Sequence, residues 1–404
     1  MSISIIKIYI MSTSKRQKLA PALRSLRVKN FKAIQDSGTI TFTPLTVFIG
    51  NNGSGKSSVI EAMETISILA SEGLNAALNR WGGFEPIWNK AVSHKIQKDK
   101  MSETERAINP MGFYIKGRVE DDHVGIYPPY SFTAESEITT GPGKNEVFFH
   151  QEKLTRIFYK DVRDTETRGR ESINSFDVMS PNRSVLSTER SLTWWHFFRL
   201  NPEIMGIPQA ANLVPGFRRL KPDGSNIGDY LLHLYENYPK DFTALIETLR
   251  YVLPYASDLT PAMTSELTRN VYLQLTEGSF KVPGWLLSTG TLRIVALLAV
   301  LRHPEPPPLI CIEELENGLD PRTIHLIVEE IRDAVQRRGI QVIITTHSPY
   351  LLDLLPLSSL ILCERDAAGE PKFYRPADDE SMKRWAADFA PGQLYTMGQL
   401  KRNA

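Results

Sequence analysis

Apolar and polar positions along the chain fall into regular periods from Leu23 onward. Leu26, Val28 and Phe31 suit a strand, and Ile40–Phe42 predicts a second, with Gly38 as the turn residue between them. Leu45–Ile49 is a short, nearly continuous apolar run, the pattern of a central strand buried on both faces. It runs straight into GNNGSGKSS, and from Val59 a helical period continues to Leu78. The order is strand, glycine loop, helix. Residues 93–110 are polar and weakly periodic and read as a loop. Residues 111–160 carry alternating runs, among them Phe113–Val119 and Glu146–Phe149, broken by turn clusters at Pro128-Pro129 and Gly141-Pro142-Gly143; they predict an antiparallel β layer. Residues 160–225 show no clean period, only an aromatic knot over 194–198. Helical spacing returns from Asn226 to Leu253. From Val271 to the end, strands (271–275, 309–312, 340–344, 359–363) alternate with helices (289–302, 322–337, 349–355), which indicates parallel α/β architecture.

These breaks divide the chain into a tail (1–20, with Met11 an alternative start), an N-terminal lobe with the glycine loop and β layer (21–160), an irregular or helical insertion (161–270) and a C-terminal lobe (271–404). A length of 404 residues exceeds one average domain, consistent with that division. The apolar stretch Met1–Met11 lacks the basic flank and small-residue cleavage site of a secretory signal. Composition then narrows the classes. With 42% hydrophobic and 23% charged residues the chain is of ordinary globular type, and a formal charge of +1 means that any nucleic-acid surface must be local. Cys311 and Cys363 cannot build a disulfide framework or a four-ligand zinc site; both lie in apolar runs, so buried thiols in a reducing cytoplasm are expected. No apolar run approaches the roughly 18–20 residues of a membrane span.

The strongest chemical signal is Gly50-Asn51-Asn52-Gly53-Ser54-Gly55-Lys56-Ser57, followed by Ser58, which satisfies GxxxxGK(S/T) between a strand and a helix. Glycines let backbone N–H groups converge on phosphate oxygens, and the helix N-terminus adds a positive dipole end. Lys56 would balance β- and γ-phosphate charge, and Ser57 would offer a hydroxyl to Mg²⁺. Four further features are ordinary when taken singly. Leu309–Ile312 is a buried-type strand ending in Glu313 and Glu314, where one carboxylate can serve a metal shell and the next polarise a water. Ser288-Thr289-Gly290 opens an apolar helix, as a cap or as a phosphate contact. His347 follows Thr345-Thr346 at a strand end, and Asn317-Gly318-Leu319-Asp320 is a turn carrying a carboxylate.

Order and spacing join them. The glycine loop, then about 230 residues, then S-x-G, the acidic strand, the LD turn and the strand-end histidine resemble the ATP-binding-cassette (ABC) ATPases. Within that class LRVKNFKAI, KPDGSNIGDYLLHL, IEELENGLDP, TTHSPYLLDLL and GQLYTMGQL resemble the SMC/RecF-like heads and the OLD-like, standalone AAA-family ATPases. The resemblance covers roughly residues 23–404, matches 160–225 loosely, and implies an α/β ABC-ATPase head: a P-loop NTPase with a mainly parallel sheet plus an antiparallel β layer. By that resemblance Gly50, Gly55, Lys56 and Ser57 match Walker A, and Ser288 and Gly290 the signature that contacts the γ-phosphate of a partner subunit's ATP. Glu314 matches the catalytic glutamate, Asp320 the D-loop aspartate and His347 the switch histidine. Glu313 stands where the class has a Walker B aspartate, and Gln151, after the strand 147–149, is the candidate Q-loop ligand to Mg²⁺. LSTGT departs from LSGGQ, which implies weaker contacts across a dimer.

Expected cofactors are therefore ATP and Mg²⁺, and the expected assembly is a homodimer through composite ATP sites. No heptad run suggests an SMC arm, and 364–404 reads as a charged tail without the spaced acids of an appended nuclease. The class implies ATP-driven switching of a separately encoded effector (a nuclease or toxin) or of a DNA contact, in anti-phage defence. The alternatives are a nucleotide-gated scaffold with little turnover and a RecF-like DNA-repair ATPase. Residues 151–221 hold 12 Lys+Arg against 8 Asp+Glu, which fits a phosphate-contacting surface as well as ordinary surface around a small core.

Overall fold

The computed structural model describes residues 22–90, 109–119, 129–140, 146–158, 163–169, 182–211, 218–264 and 269–400. The tail 1–20 and most of the loop 93–110 lie outside these residues. The chain forms two compact units: residues 1–44, 53–195 and 364–373 in the first, and 45–52, 196–363 and 374–404 in the second.

In the first unit the alternating runs become one antiparallel sheet. Its members are β1 (Leu23–Phe31), β2 (Ile34–Asp36), β3 (Ile40–Thr41), β5 (Met111–Val119), β6 (Tyr130–Thr140), β7 (Val147–Ile157) and β8 (Arg163–Gly169), in the order β2-β1-β5-β6-β7-β8 with β3 on β1. Inward positions bury Leu23, Leu26, Val28 and Phe31, and Phe31 meets Phe113 edge-on at 5.5 Å between centroids. Helix α1 (Lys56–Ser71) is buried along most of its length, and α2 (Leu74–Asn79) follows it. A short helix, α3 (Arg190–Thr193), is tied to α1 by the Ser67 hydroxyl, which donates to the Leu192 carbonyl at 2.8 Å.

Strand β7 runs past Phe149, where the apolar alternation stops, because its buried face continues with charged residues. Glu152 is fully buried and accepts from the Ser136 and Ser184 hydroxyls and the Val185 N–H. Arg156 is paired with Glu189, Asp164 and Glu166. A buried charge is tolerable when it is fully hydrogen-bonded, and these two extend the strand to Ile157. Gln151 therefore lies inside β7, opposite Glu137 and Gly169, rather than after a strand end.

The second unit holds β4 (Leu45–Ile49), β14 (Leu309–Ile312), β15 (Gln341–Thr346) and most of β9 (Trp195–Phe198) and β16 (Leu360–Arg365), which with β17 (Pro371–Tyr374) have the sheet order β17-β16-β4-β15-β14-β9. The pairs β16–β4, β4–β15 and β15–β14 are parallel, as their continuous apolar runs require. Its helices are α4 (Pro202–Met205), α5 (Ile227–Asn237), α6 (Pro239–Val252), α7 (Thr289–Leu301), α8 (Pro321–Arg338), α9 (Pro349–Asp353), α10 (Glu380–Asp388) and α11 (Pro391–Thr396). The helical stretch 226–253 is broken in two at Pro239, which sits at the first helical position of α6.

Two expectations are corrected here. The strand near 271–275 is β12 (Asn270–Glu277), and it does not begin the parallel sheet. It joins β10 (Gln209–Ala210), β11 (Ala256–Met263) and β13 (Phe280–Pro283) in a small antiparallel sheet, because only one of its faces is buried. Residues 364–404 are not a charged tail: through residue 400 they fold as β17, α10 and α11, with Asp379 capping α10 by accepting from the Ser381 N–H. Among the described residues no helix is long and apolar enough to cross a membrane.

Candidate functional site

The glycine loop leaves the buried strand β4 and ends at α1. Gly53 has φ 74° and Gly55 φ 98°; Gly55 is the N-cap of α1 and offers no side-chain cap. A Cβ at Gly55 would lie 2.8 Å from the Pro371 Cβ, so this left-handed cap has room only for hydrogen. Lys56 is 6% exposed, although its ammonium stands at a helix N-terminus, the end that favours anions. Ser54 is 4% exposed, and its Oγ has no hydrogen-bond partner among the described residues. A buried hydroxyl without a partner, beside a buried lysine and a helix start, fits a phosphate group. Ser57 is exposed at the first turn.

In the second unit the acidic strand end is highly constrained. Glu313 donates its N–H to the Phe198 carbonyl at 3.0 Å, and its carboxylate pairs with Arg199 at 2.5 Å. Glu314 has φ 49°, a left-handed backbone at a residue with a full side chain, which costs about 1–3 kcal/mol. Four bonds hold it there. Its N–H donates to Thr345 Oγ1 at 3.0 Å, its carbonyl accepts from Arg293 Nη2 at 2.9 Å and from the Asn317 N–H at 3.0 Å, and its carboxylate accepts from Asn317 Nδ2. The effect is to turn the Glu314 side chain out to solvent at the end of β14.

Ser288 caps α7, accepting from the Thr291 N–H at 3.1 Å and sharing a 2.7 Å bond with the Thr291 hydroxyl. A Cβ on Gly290 would stand 2.5 Å from the Gly318 carbonyl, so the start of α7 and the 317–320 turn touch backbone to backbone. Asp320 caps α8 through the Arg322 and Thr323 N–H groups. The Thr323 hydroxyl bond above all, with these amides, holds its carboxyl below the usual range. The His347 N–H donates to Glu316 Oε1 at 2.6 Å. Ser288, Gly290, Glu314, Asp320 and His347 are thus gathered around β14, β15 and the starts of α7 and α8. Gln151 belongs to the antiparallel sheet of the other unit. Among the described residues no group of three or more Asp, Glu, His or Cys has the makings of a metal site, whereas Mg²⁺ on phosphates takes only one or two protein ligands.

Sequence reading missed Arg293, Arg199, Glu316 and Asn317. Arg293 was detectable as the one charge in the apolar helix LRIVALLAVL; it is buried, and desolvation holds its pKa below the usual value. The arginine surplus of 151–221 is partly internal: Arg156, Arg199 and Arg218 pair with Glu189, Glu313 and Asp229. Arg170 and Lys160 lie outside the described residues.

Residues 45–353 match the model of a family described as "AAA domain, putative AbiEii toxin, Type IV TA system". A search of curated proteins found no match. Among solved structures, an SMC head bound to the C-terminal winged-helix domain of ScpA is similar at 13% identity and TM-score 0.48, over 88% of this chain and 98% of that one. The SMC head domain from Thermotoga maritima is similar at 14% identity and TM-score 0.40, over 87% and 98%. A Pyrococcus furiosus SMC head with an extended coiled coil gives 14% and 0.46, over 91% and 99%.

Proposed function

We propose, from the premise that the chain belongs to this family of AAA domains, that it binds ATP and hydrolyses it to ADP and phosphate. The observation that carries the reading is the glycine loop, where a buried lysine and a buried Ser54 hydroxyl without a partner among the described residues meet the start of α1. Backbone N–H groups of the loop and α1 bind phosphate oxygens, and Lys56 balances their charge. Glu314 takes a proton from the water that attacks the γ-phosphorus; the bond from that phosphorus to the bridging oxygen breaks, and ADP leaves with the oxygen. Mg²⁺, when bound, would neutralise phosphate charge, held by the Ser57 hydroxyl and by Glu313. Arg199, paired with Glu313 in this structure, would compete with such a cation for that carboxylate. His347, whose main-chain N–H donates to Glu316, is the strand-end histidine that would sense the phosphate. Gln151 has no part in this reading, because it is fixed within a sheet.

The same reading extends to assembly. Ser288 and the N-terminus of α7 are exposed, and in a homodimer they would face the ATP held by the partner subunit's glycine loop. Closure and opening would then switch a separately encoded effector, in keeping with the toxin–antitoxin wording of the family description. Steady-state ATPase and ATP titration test the core of this. Lys56→Ala should abolish binding, while Glu314→Gln should bind ATP, stop turnover and accumulate dimers. ATP affinity unchanged in Lys56→Ala would refute the site.

A further inference from the structure

We infer that Arg365 is a positioning residue for the phosphate loop: its guanidinium sets the orientation of the Gly53–Ser54 peptide and so of the Ser54 N–H. The inference rests on the reading of that loop as the ATP site. Arg365 Nε donates to the Gly53 carbonyl at 2.8 Å, across 312 positions of sequence. In a planar trans peptide the C=O and the following N–H point in opposite directions. Fixing the Gly53 carbonyl toward Arg365 therefore directs the Ser54 N–H away from it, to the side where the loop closes on α1. Glycine at 53, with φ 74°, imposes little preference of its own, so an outside partner is needed to choose one peptide orientation.

Arg365 is itself held. Its Nη1 donates to the Gly369 carbonyl, and the intervening turn is closed by Asp366, which accepts from the Ala368 and Glu370 N–H groups at 2.9 Å each. The Asp366 N–H also donates to the Glu370 carbonyl at 2.9 Å. The return strand brings Pro371 and Phe373 against Gly55, within 2.8 and 3.4 Å of where a Cβ would be. The hairpin thus abuts the loop at two points, one polar and one steric. A phosphate cradle acts by donors aimed beforehand, and Arg365 supplies the aim for one of them.

The test uses the full chain with ATP and ADP as probes, measured by titration calorimetry, together with the melting temperature of the nucleotide-free protein. Arg365→Ala should weaken ATP and ADP alike by about five- to tenfold, the net worth of one ordinary hydrogen bond, since the loss reaches the nucleotide only through one peptide's orientation. It should raise KM with kcat little changed and leave the nucleotide-free melting temperature in place. Arg365→Gln keeps a donor without the charge and should recover part of the affinity, which separates aim from plain electrostatics. Equal affinity in Arg365→Ala and wild type overturns the inference. So does affinity that falls only in step with melting temperature across the Ala, Gln and Lys variants, since the arginine would then merely anchor the hairpin. If wild type binds no ATP, the ATP reading fails instead. Hydrogen exchange at the Ser54 amide, expected to quicken in Arg365→Ala, then still decides whether the peptide is held.

Discussion

Arg293, from the second turn of α7, donates to the main-chain carbonyl of Glu314 at 2.9 Å and, with its other terminal nitrogen, to the Leu200 carbonyl at 3.1 Å. One buried guanidinium therefore ties the helix that begins at Ser288 to the residue whose carboxylate ends β14. Removing it takes the donor from the Leu200 carbonyl and leaves the Glu314 carbonyl with the Asn317 N–H, at 3.0 Å. Arg293→Met should destabilise the protein by about 2–4 kcal/mol, the range for breaking a buried charged hydrogen-bond set. Turnover should fall while ATP affinity stays near wild type. Urea unfolding and ATP titration check the two parts.

Glu314 carries strain that a glycine would not. Glu314→Gly should abolish ATPase activity, yet its unfolding free energy should equal that of wild type or exceed it by up to about 1 kcal/mol, because φ 49° costs glycine nothing. A clear loss of stability would mean that the side-chain bond to Asn317 outweighs the strain.

Gly290 should tolerate no side chain. Its Cβ would meet the Gly318 carbonyl at 2.5 Å, and both groups are backbone, so neither can swing aside. Gly290→Ala should cost about 1–3 kcal/mol, the range for overpacking. It should also suppress ATP-dependent dimerisation while monomer ATP binding survives, as read by size-exclusion chromatography with and without ATP.

His196 gives a pH test. Burial first, then Arg219 and His303, push its pKa down to about 3, and neither ring nitrogen has a hydrogen-bond partner among the described residues. The unfolded chain takes up a proton near pH 6.5 that the folded chain refuses. The stability is complete above that pH and is lost as pH falls toward 3, at about 1.4 kcal/mol per unit. Between pH 7.5 and 5.0 wild type should lose about 2 kcal/mol more than His196→Phe. Parallel losses would show that the imidazole is protonated in the fold.

The parts legible in sequence were those whose chemistry is local. The loop 50–57 identifies itself because phosphate binding needs glycine and lysine at fixed spacing, and Leu309–Ile312 because a strand buried on both faces is apolar throughout. The parts that were not legible depend on distant partners. Glu152 and Arg156 look like surface charges until Ser184 and Glu189 are folded over them. Arg199 looks like one more basic residue until β9 sets it against Glu313. The positive φ of Glu314 has no sequence mark, since glutamate is an uncommon choice there and the surrounding bonds from Arg293, Asn317 and Thr345 sustain it.

The backbone contact between Gly290 and Gly318 makes one lever of two loops. With no side chain between them to compress or rotate, the start of α7 cannot move toward the 317–320 turn without displacing its backbone. Ser288 and Asp320, the caps of the two helices that begin beside this contact, are therefore spaced by main chain, and their separation does not depend on any rotamer.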